Sequence, residues 1–369
     1  MRFKQPDTLR LLGLTRPILG FSLCLLLWLP QISYSKGFIP ERAQEKQCIR
    51  IVKALEKNHY LDKRLDNQMS AKIFDLFIKR LDPSKSLLTL KDVKKFNNYR
   101  HRLDNDLVRG NLDPAFEIFN LYHSRAVERL ETILALIKTW DKNLDLASDR
   151  NMVLKNKDRS FLTNPADLKT LWENDLINHV IALKLDKKEP KDITNTLEKI
   201  YSSRLARLHQ TTPNDVFQLF MNSVTSSFDP HTQYFPPRAS EDFDIHMSLS
   251  LEGIGAVLQN EYEYTKVVRL IPKGPADKSN LLMPGDKIIG VGQGKKGEIK
   301  DTIGQRIDKV VKLIRGPKNT YVRLKIIPAK KANSTATISI KRDKVKLEEQ
   351  SAKKEVITVE SKAGPHKIG

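Results

Sequence analysis

The sequence predicts a multidomain protein, a mainly α-helical amino-terminal domain followed by a small α+β module. Three observations carry this. From Lys36 to about Ser250 the apolar residues recur at three- and four-residue steps, the period of an amphipathic helix. Around Asp244 that period gives way to short β-type runs divided by Gly, Pro and charged turns. The chain also has room for both parts, since 369 residues suffice for two or three domains, and 40% apolar content describes a globular protein.

The first forty residues read as a leader. Arg2, Lys4, Arg10 and Arg16 precede an apolar stretch from Ile18 to Leu29 that is too short to span a bilayer comfortably and is closed by Pro30. Ser33-Tyr34-Ser35 places small residues at the two positions that a signal peptidase reads, so residues 1–35 are expected to be a signal peptide cleaved before Lys36. Left uncleaved, the segment would be a membrane anchor, the only membrane contact the sequence offers. Cys24 sits in the apolar stretch without the small residues of a lipoprotein signal, which leaves Cys48 as the cysteine of the mature chain. An exported chain of this kind has no internal disulfide and relies on its core.

Residues 36–245 are assigned to the helical domain. Asp113-Pro114, Asn164-Pro165 and Thr212-Pro213 each place a capping residue before a proline at the first helical position, where the missing N–H costs nothing. Thr89 with Asp92 has the spacing of a capping box. Phe116, Phe119, Tyr122, Ala126, Leu130, Ile133, Leu134 and Ile137 form one long stripe. Leu168, Leu171, Trp172 and Leu176 repeat it, as do Ile193, Leu197, Ile200, Tyr201, Leu205 and Leu208. Such stripes are core-packing faces, and no cofactor is expected.

Residues 246–341 form the α+β module, with β-type runs at Val257–Gln259, Lys266–Ile271, Lys287–Val291, Tyr321–Ile327 and Ala336–Ile340. Ile303, Ile307, Val310, Val311 and Ile314 carry a helical period that Gly316-Pro317 ends. Residues 342–369 are charged and strand-like, and are read as a linker.

A formal charge of +20 suggests an anionic partner, yet the basic residues are interleaved with acidic ones, as in "LDKRLDNQ", which describes solvated helix faces and not a nucleic-acid groove. The eight histidines show no ligand spacing, and with one mature cysteine no metal site is expected. His231, following Asp229-Pro230, reads as a residue that orders a turn and not as a base. Ser33/Lys36 and Ser351/Lys354 share a Ser-x-x-Lys spacing. The first straddles the cleavage site and the second lies in a charged linker, so neither has the dry pocket and oxyanion donors that acyl transfer needs, and no catalytic residue is assigned.

The stretch "SLEGIGAVLQ" sets Gly253 and Gly255 directly before an apolar run. A dinucleotide fingerprint needs a third glycine, a strand before the loop and a helix after it. Here a β-type run follows the glycines. Two readings remain, a sharp bend into a sheet, or a loop whose backbone N–H groups cradle a peptide carboxylate while the strand edge pairs with the peptide. Alternation along the strand sends Ile254, Ala256 and Leu258 to one face, with Val257 between them. Ile307, Val310, Val311 and Ile314 supply the opposing helix, and some of these four face the module's own core.

Gly253-Ile254-Gly255-Ala256 resembles the carboxylate-binding loop of a PDZ domain. "GPADKSNLLMPGDKIIGVGQG" (274–294) and "IDKVVKLIRGPKNTYVRLKI" (307–326) resemble further PDZ segments of carboxy-terminal processing proteases. Upstream, Leu81-Asp82-Pro83-Ser84-Lys85-Ser86 and Phe228-Asp229-Pro230-His231-Thr232-Gln233-Tyr234-Phe235 are similar to two landmarks of the helical domain in periplasmic tail-specific proteases. The resemblance covers most of residues 50–345. It implies a periplasmic location, a PDZ groove for apolar carboxy-terminal tails of unfolded or tagged proteins, and a possible adaptor protein as a further partner. It also implies a Ser/Lys protease domain whose segments have no counterpart here, so the chain is expected to be the front portion of such a protease, by truncation or a split gene. The alternative is a noncatalytic peptide-binding adaptor or holdase.

Overall fold

The computed structural model describes residues 37–147, 159–331, 333–347, 355–361 and 364–368. The expected signal peptide and the pairs Ser33/Lys36 and Ser351/Lys354 lie outside the described residues.

The helical domain has two cores, and one helix serves both. Helices α1 (Arg42–Asn58), α2 (Asn67–Leu81), α3 (Leu90–Lys95), α4 (Leu103–Arg109) and α5 (Asp113–Ile137) come first. They are followed by α6 (Trp140–Asn143), α7 (Pro165–Leu185), α8 (Pro190–His209) and α9 (Pro213–Phe228). At about 1.5 Å per residue, α5 runs roughly 37 Å, further than one small core extends. Its first turns place Phe116 and Phe119 among Cys48, Phe74, Phe77, Leu107 and Phe220. Its last turns place Ile133 and Ile137 among Trp140, Trp172, Leu176, Leu197 and Tyr201. The continuous stripe in the sequence is therefore two faces joined end to end.

The helix starts follow the expected chemistry with one correction. Asn164 accepts from the Ala166 N–H, and Thr212 with Asp215 and Thr89 with Asp92 form reciprocal capping boxes. Asp113 does not cap α5: it is the first helical residue, Leu112 precedes it without a side-chain cap, and the Asp113 N–H donates to Asn111 Oδ1 at 3.1 Å. The cap's work is thus shifted upstream to an asparagine.

The two landmarks of the helical domain are polar knots. Asp82, 1% exposed, ends α2 and accepts from the N–H groups of Ser86 (2.9 Å), Leu87 (2.8 Å) and Leu88 (2.9 Å). Trp172 Nε1 donates to the Ser86 carbonyl at 2.6 Å, and Arg129 reaches both Ser86 Oγ (3.0 Å) and Asp175 (2.7 Å), so this turn stitches the two cores together. At the other landmark Lys72 and Lys63 donate to the Ser227 and Phe228 carbonyls, both at 2.6 Å, placing cations at the negative end of α9. Asp229 then accepts from the His231 N–H at 2.8 Å and from the Tyr60 hydroxyl at 2.9 Å. His231, with its side chain 92% exposed, orders this turn.

Helix α10 (Pro237–Ser248) leads into strands β1 (Ser250–Gly253), β2 (Ala256–Glu261) and β3 (Tyr264–Leu270). Helix α11 (Pro275–Ser279), β4 (Lys287–Gln293), β5 (Ile299–Asp301) and α12 (Ile307–Ile314) follow, then β6 (Tyr321–Ile327), β7 (Ala336–Lys341) and β8 (Asp343–Lys346). The antiparallel main sheet runs β2-β3-β4-β6-β7 with β5 beside β4, and β1 pairs with β8 apart from it. A third core of Val267, Ile288, Val291, Val310, Leu324 and Ile340 lies beneath α12. Ile303, included in the helical period, is not helical: it precedes Gly304, whose φ of +69° breaks the run, and is 44% exposed. Of the segment read as a linker, Asp343–Lys346 form β8, and β9 (Ile357–Ser361) and β10 (Gly364–Ile368) pair with each other. Among the described residues no helix is long and apolar enough to cross a membrane.

Candidate functional site: a groove between an edge strand and a helix

Strand β2 is an outer strand of the main sheet, paired on one side with β3, and α12 packs near it. Between them lies a cleft of about 370 Å³. Ile254, Gly255, Ala256, Val257 and Leu258 form one wall, and Val311 and Ile314 of α12 form the other. The expected alternation of Ile254, Ala256 and Leu258 is interrupted, because the β2–β3 register shifts between Val257 and Leu258 and brings Val257 into the wall as well.

Other residues that the sequence singled out lie elsewhere. Val310 is fully buried in the core beneath the helix. Ile307, one turn earlier, lines a separate cleft with Ser203, Ala206 and Gln210 of the helical domain. Gly253 ends β1 outside the groove wall; a Cβ there would meet the Leu251 side chain at 3.3 Å. Gly255 is required for two reasons. Its φ is +76°, and a Cβ would lie 3.3 Å from both methyls of Val345 and 3.4 Å from Gly274 Cα.

The loop is held from behind. The Ile271 N–H donates to the Gly255 carbonyl and the Ala276 N–H to the Ile254 carbonyl, both at 2.8 Å, so these two acceptors are spent on the module itself. The groove helix is held at both ends. Arg306, before its first turn, makes a forked pair with Asp215 of α9 (2.6 and 3.0 Å). Burial pushes the Asp215 carboxyl up, but hydrogen bonds from Arg306 and Thr212 outweigh it and leave it below its ordinary value. At the other end Arg315 pairs with Asp242 of α10 at 2.7 Å. Arg342, 2% exposed, donates to the Ile314 carbonyl at 2.7 Å, to the Leu313 carbonyl at 3.1 Å and to Gln293 at 2.7 Å.

Several of these residues escaped the sequence reading. Asp242, Ile245 and Leu347 line the groove from outside residues 246–341, and Arg342 stands at the first position after them. Val345 and Leu347, alternating with lysines, were the available signal of a paired strand.

A helical domain followed by a sheet module with an outer strand facing a helix is the architecture of a PDZ domain carried on a helical platform. The comparisons agree. Residues 51–238 match the family described as tail specific protease N-terminal domain, and residues 242–327 match the PDZ domain family. The chain therefore belongs to the tail-specific protease N-terminal domain family, with a PDZ domain after it. It is 37% identical over 327 residues to the tail-specific protease of Haemophilus influenzae, covering 88% of this chain and 46% of that protein. It is 32% identical over 154 residues to the carboxy-terminal processing protease CtpA of Bacillus subtilis, covering 41% and 31% respectively. The chain thus spans under half the length of either relative. Among solved structures, the PDZ domain of the carboxy-terminal protease from Vibrio cholerae, in complex with peptide, is 47% identical. It covers 27% of this chain and all of that one, with a TM-score of 0.26.

Proposed function

We propose that this chain recognises the carboxy-terminal tails of polypeptides in the PDZ groove, as the substrate-selecting part of a tail-specific protease. The observation that carries the reading is the outer strand β2 opening onto an apolar cleft beside a glycine loop whose carbonyls are already spent. A peptide adding to that edge pairs with β2 through its backbone. Its terminal carboxylate meets the N–H groups of the Gly253–Ala256 loop, and its last side chain enters the cleft between Ala256 and Val311. Burying one apolar side chain contributes roughly 1.5 to 3 kcal/mol. After ordering costs, a free peptide is expected to bind on the order of micromolar to hundreds of micromolar.

In this reading residues 36–347 select and hold a tail, and no bond-breaking step is assigned to them. Unfolded or tagged proteins are the proposed substrates, in the periplasm, reached through cleavage near Lys36. The basic start, short apolar stretch and Ser33-Tyr34-Ser35 support that location; recovery of intact Met1 protein from the cytosol would overturn it. The groove is tested by titrating an apolar-tailed peptide and its carboxamide twin. The acid is expected to bind at least about tenfold more tightly, a difference of about 1.4 kcal/mol. Equal affinities would overturn the carboxylate cradle.

A further inference from the structure

A second concave site lies in the helical domain, away from the groove. Helices α5 and α8, packed together, line a cleft of about 430 Å³ beside Leu87 of the Asp82 knot. Its floor is apolar, from Leu87, Ala126, Leu130 and Leu208. Tyr122, Tyr201, Thr211 and three arginines complete the lining, and no carboxylate does. Arg129 is occupied by Asp175 and Ser86. Arg204 and Arg207 are exposed and have no carboxylate partner among the described residues; Arg204 lies over the Tyr201 ring, 5.1 Å from its centre.

The field in this cleft registers on a neighbour. His179, whose Nδ1 is 2.8 Å from the Tyr201 hydroxyl, is held below its ordinary value by burial and then by Arg204, against the pull of Asp175. Positive potential over an apolar floor selects a ligand with both characters. A simple anion would leave the floor bare, and an apolar group alone would gain nothing from the two exposed guanidiniums. Arg204 and Arg207 are three residues apart on α8, so their Cβ atoms are about 5 to 6 Å apart. Acidic side chains two residues apart on an extended peptide are about 7 Å apart, close enough for both guanidinium forks to engage. We propose that the α5–α8 cleft binds an extended acidic segment of a polypeptide, with two carboxylates two residues apart and apolar residues flanking them on the same face of the strand, at a site independent of the PDZ groove.

The test uses the full chain and a peptide, Leu-Ser-Glu-Ser-Glu-Ser-Leu, which sets Leu, Glu, Glu and Leu on one face when extended, with fluorescein on its amino terminus and its carboxy terminus amidated so that it offers no terminal carboxylate to the PDZ groove. Its Gln-for-Glu twin, inorganic phosphate and octyl phosphate are run beside it. Anisotropy is expected to show binding of the Glu peptide, at least about tenfold weaker binding of the Gln twin, and a similar loss in an Arg204→Ala/Arg207→Ala variant. Both arginines are exposed, so the variant's melting temperature is expected to match wild type. Ala256→Arg, in the other groove, is expected to leave this binding unchanged. No binding of the Glu peptide at millimolar concentration, equal binding of the twin, or undiminished binding by the double variant would overturn the proposal. Displacement of the peptide by octyl phosphate or inorganic phosphate at lower concentration than by unlabelled Glu peptide would overturn the assignment to a polypeptide.

Discussion

The turn after Asp82 and the loop at Gly253–Ala256 are both short, both recognisable in sequence, and opposite in what they leave unspent. Asp82 is buried and its two oxygens take three backbone N–H groups, so the turn is closed on itself. The glycine loop spends the Ile254 and Gly255 carbonyls behind itself and faces a cleft, at the start of a strand that pairs on one side only among the described residues. A motif whose polar atoms are all consumed internally holds structure, whereas one that leaves an edge and a cavity open receives something. The same test sorts the second landmark, where Asp229, Lys63 and Lys72 are all engaged, with the structural group.

That contrast breaks most visibly at Asp82. Asp82→Ala strands three buried N–H groups, and urea unfolding is expected to show a loss of about 3 to 5 kcal/mol in the helical domain. Peptide affinity in the PDZ groove is expected to hold wherever the variant remains folded. Gly255→Val forces a β-branched residue to φ +76° against Val345, with an expected loss of about 1 to 3 kcal/mol in the PDZ module and of peptide binding with it. Ala256→Arg sharpens the comparison, because it is expected to lower peptide affinity at least about tenfold while changing stability by no more than about 1 kcal/mol. Lys295→Glu, at a turn beside the Tyr321 ring and away from the groove, is the matched control and is expected to leave affinity unchanged.

A small effect on stability is expected at the contact between the helical domain and the PDZ module, where Arg306 meets Asp215. The Asp215 carboxyl is depressed below its ordinary 3.8, so its pairing with Arg306 contributes stability that is fully present above about pH 4 and is lost as pH falls through the lower folded-state value. Asp215→Asn is therefore expected to differ from wild type at pH 7 and to converge on it in acid. The pair is about one-third exposed, which keeps the difference small. A gap that persists undiminished at pH 2 would mean that packing, not charge, makes the contact.

Much of the architecture was legible in the sequence because it rests on local rules. The helical stripes, the Asn164 and Thr212 caps and the five main strands follow from periodicity and proline placement. What was not legible depends on contacts distant in sequence. Nothing near Phe116 or Ile137 reveals that one stripe serves two cores, and nothing near Asp113 shows that Asn111 takes over its capping role. In the groove, Gly255, Ala256, Leu258, Val311 and Ile314 are lining residues that the sequence singled out, and Val257 joins them where the register shifts. Ile307, Val310, Val311 and Ile314 share one apolar period on an eight-residue helix, and nothing in the sequence shows that Val310 turns to the core while Val311 meets the cleft. Arg342 was missed because its role is to hold the carbonyls of Leu313 and Ile314, nearly thirty positions away.

Amide hydrogen exchange, followed residue by residue while an apolar-tailed peptide is added, tests the division between closed knot and open edge most directly. Protection is expected to rise at Gly253–Glu261, where loop and edge strand gain hydrogen bonds, and to stay constant at Ser86, Leu87 and Leu88, whose N–H groups are already held by Asp82. Protection that rises at the Asp82 turn, or that leaves β2 unchanged under saturating peptide, would contradict the account.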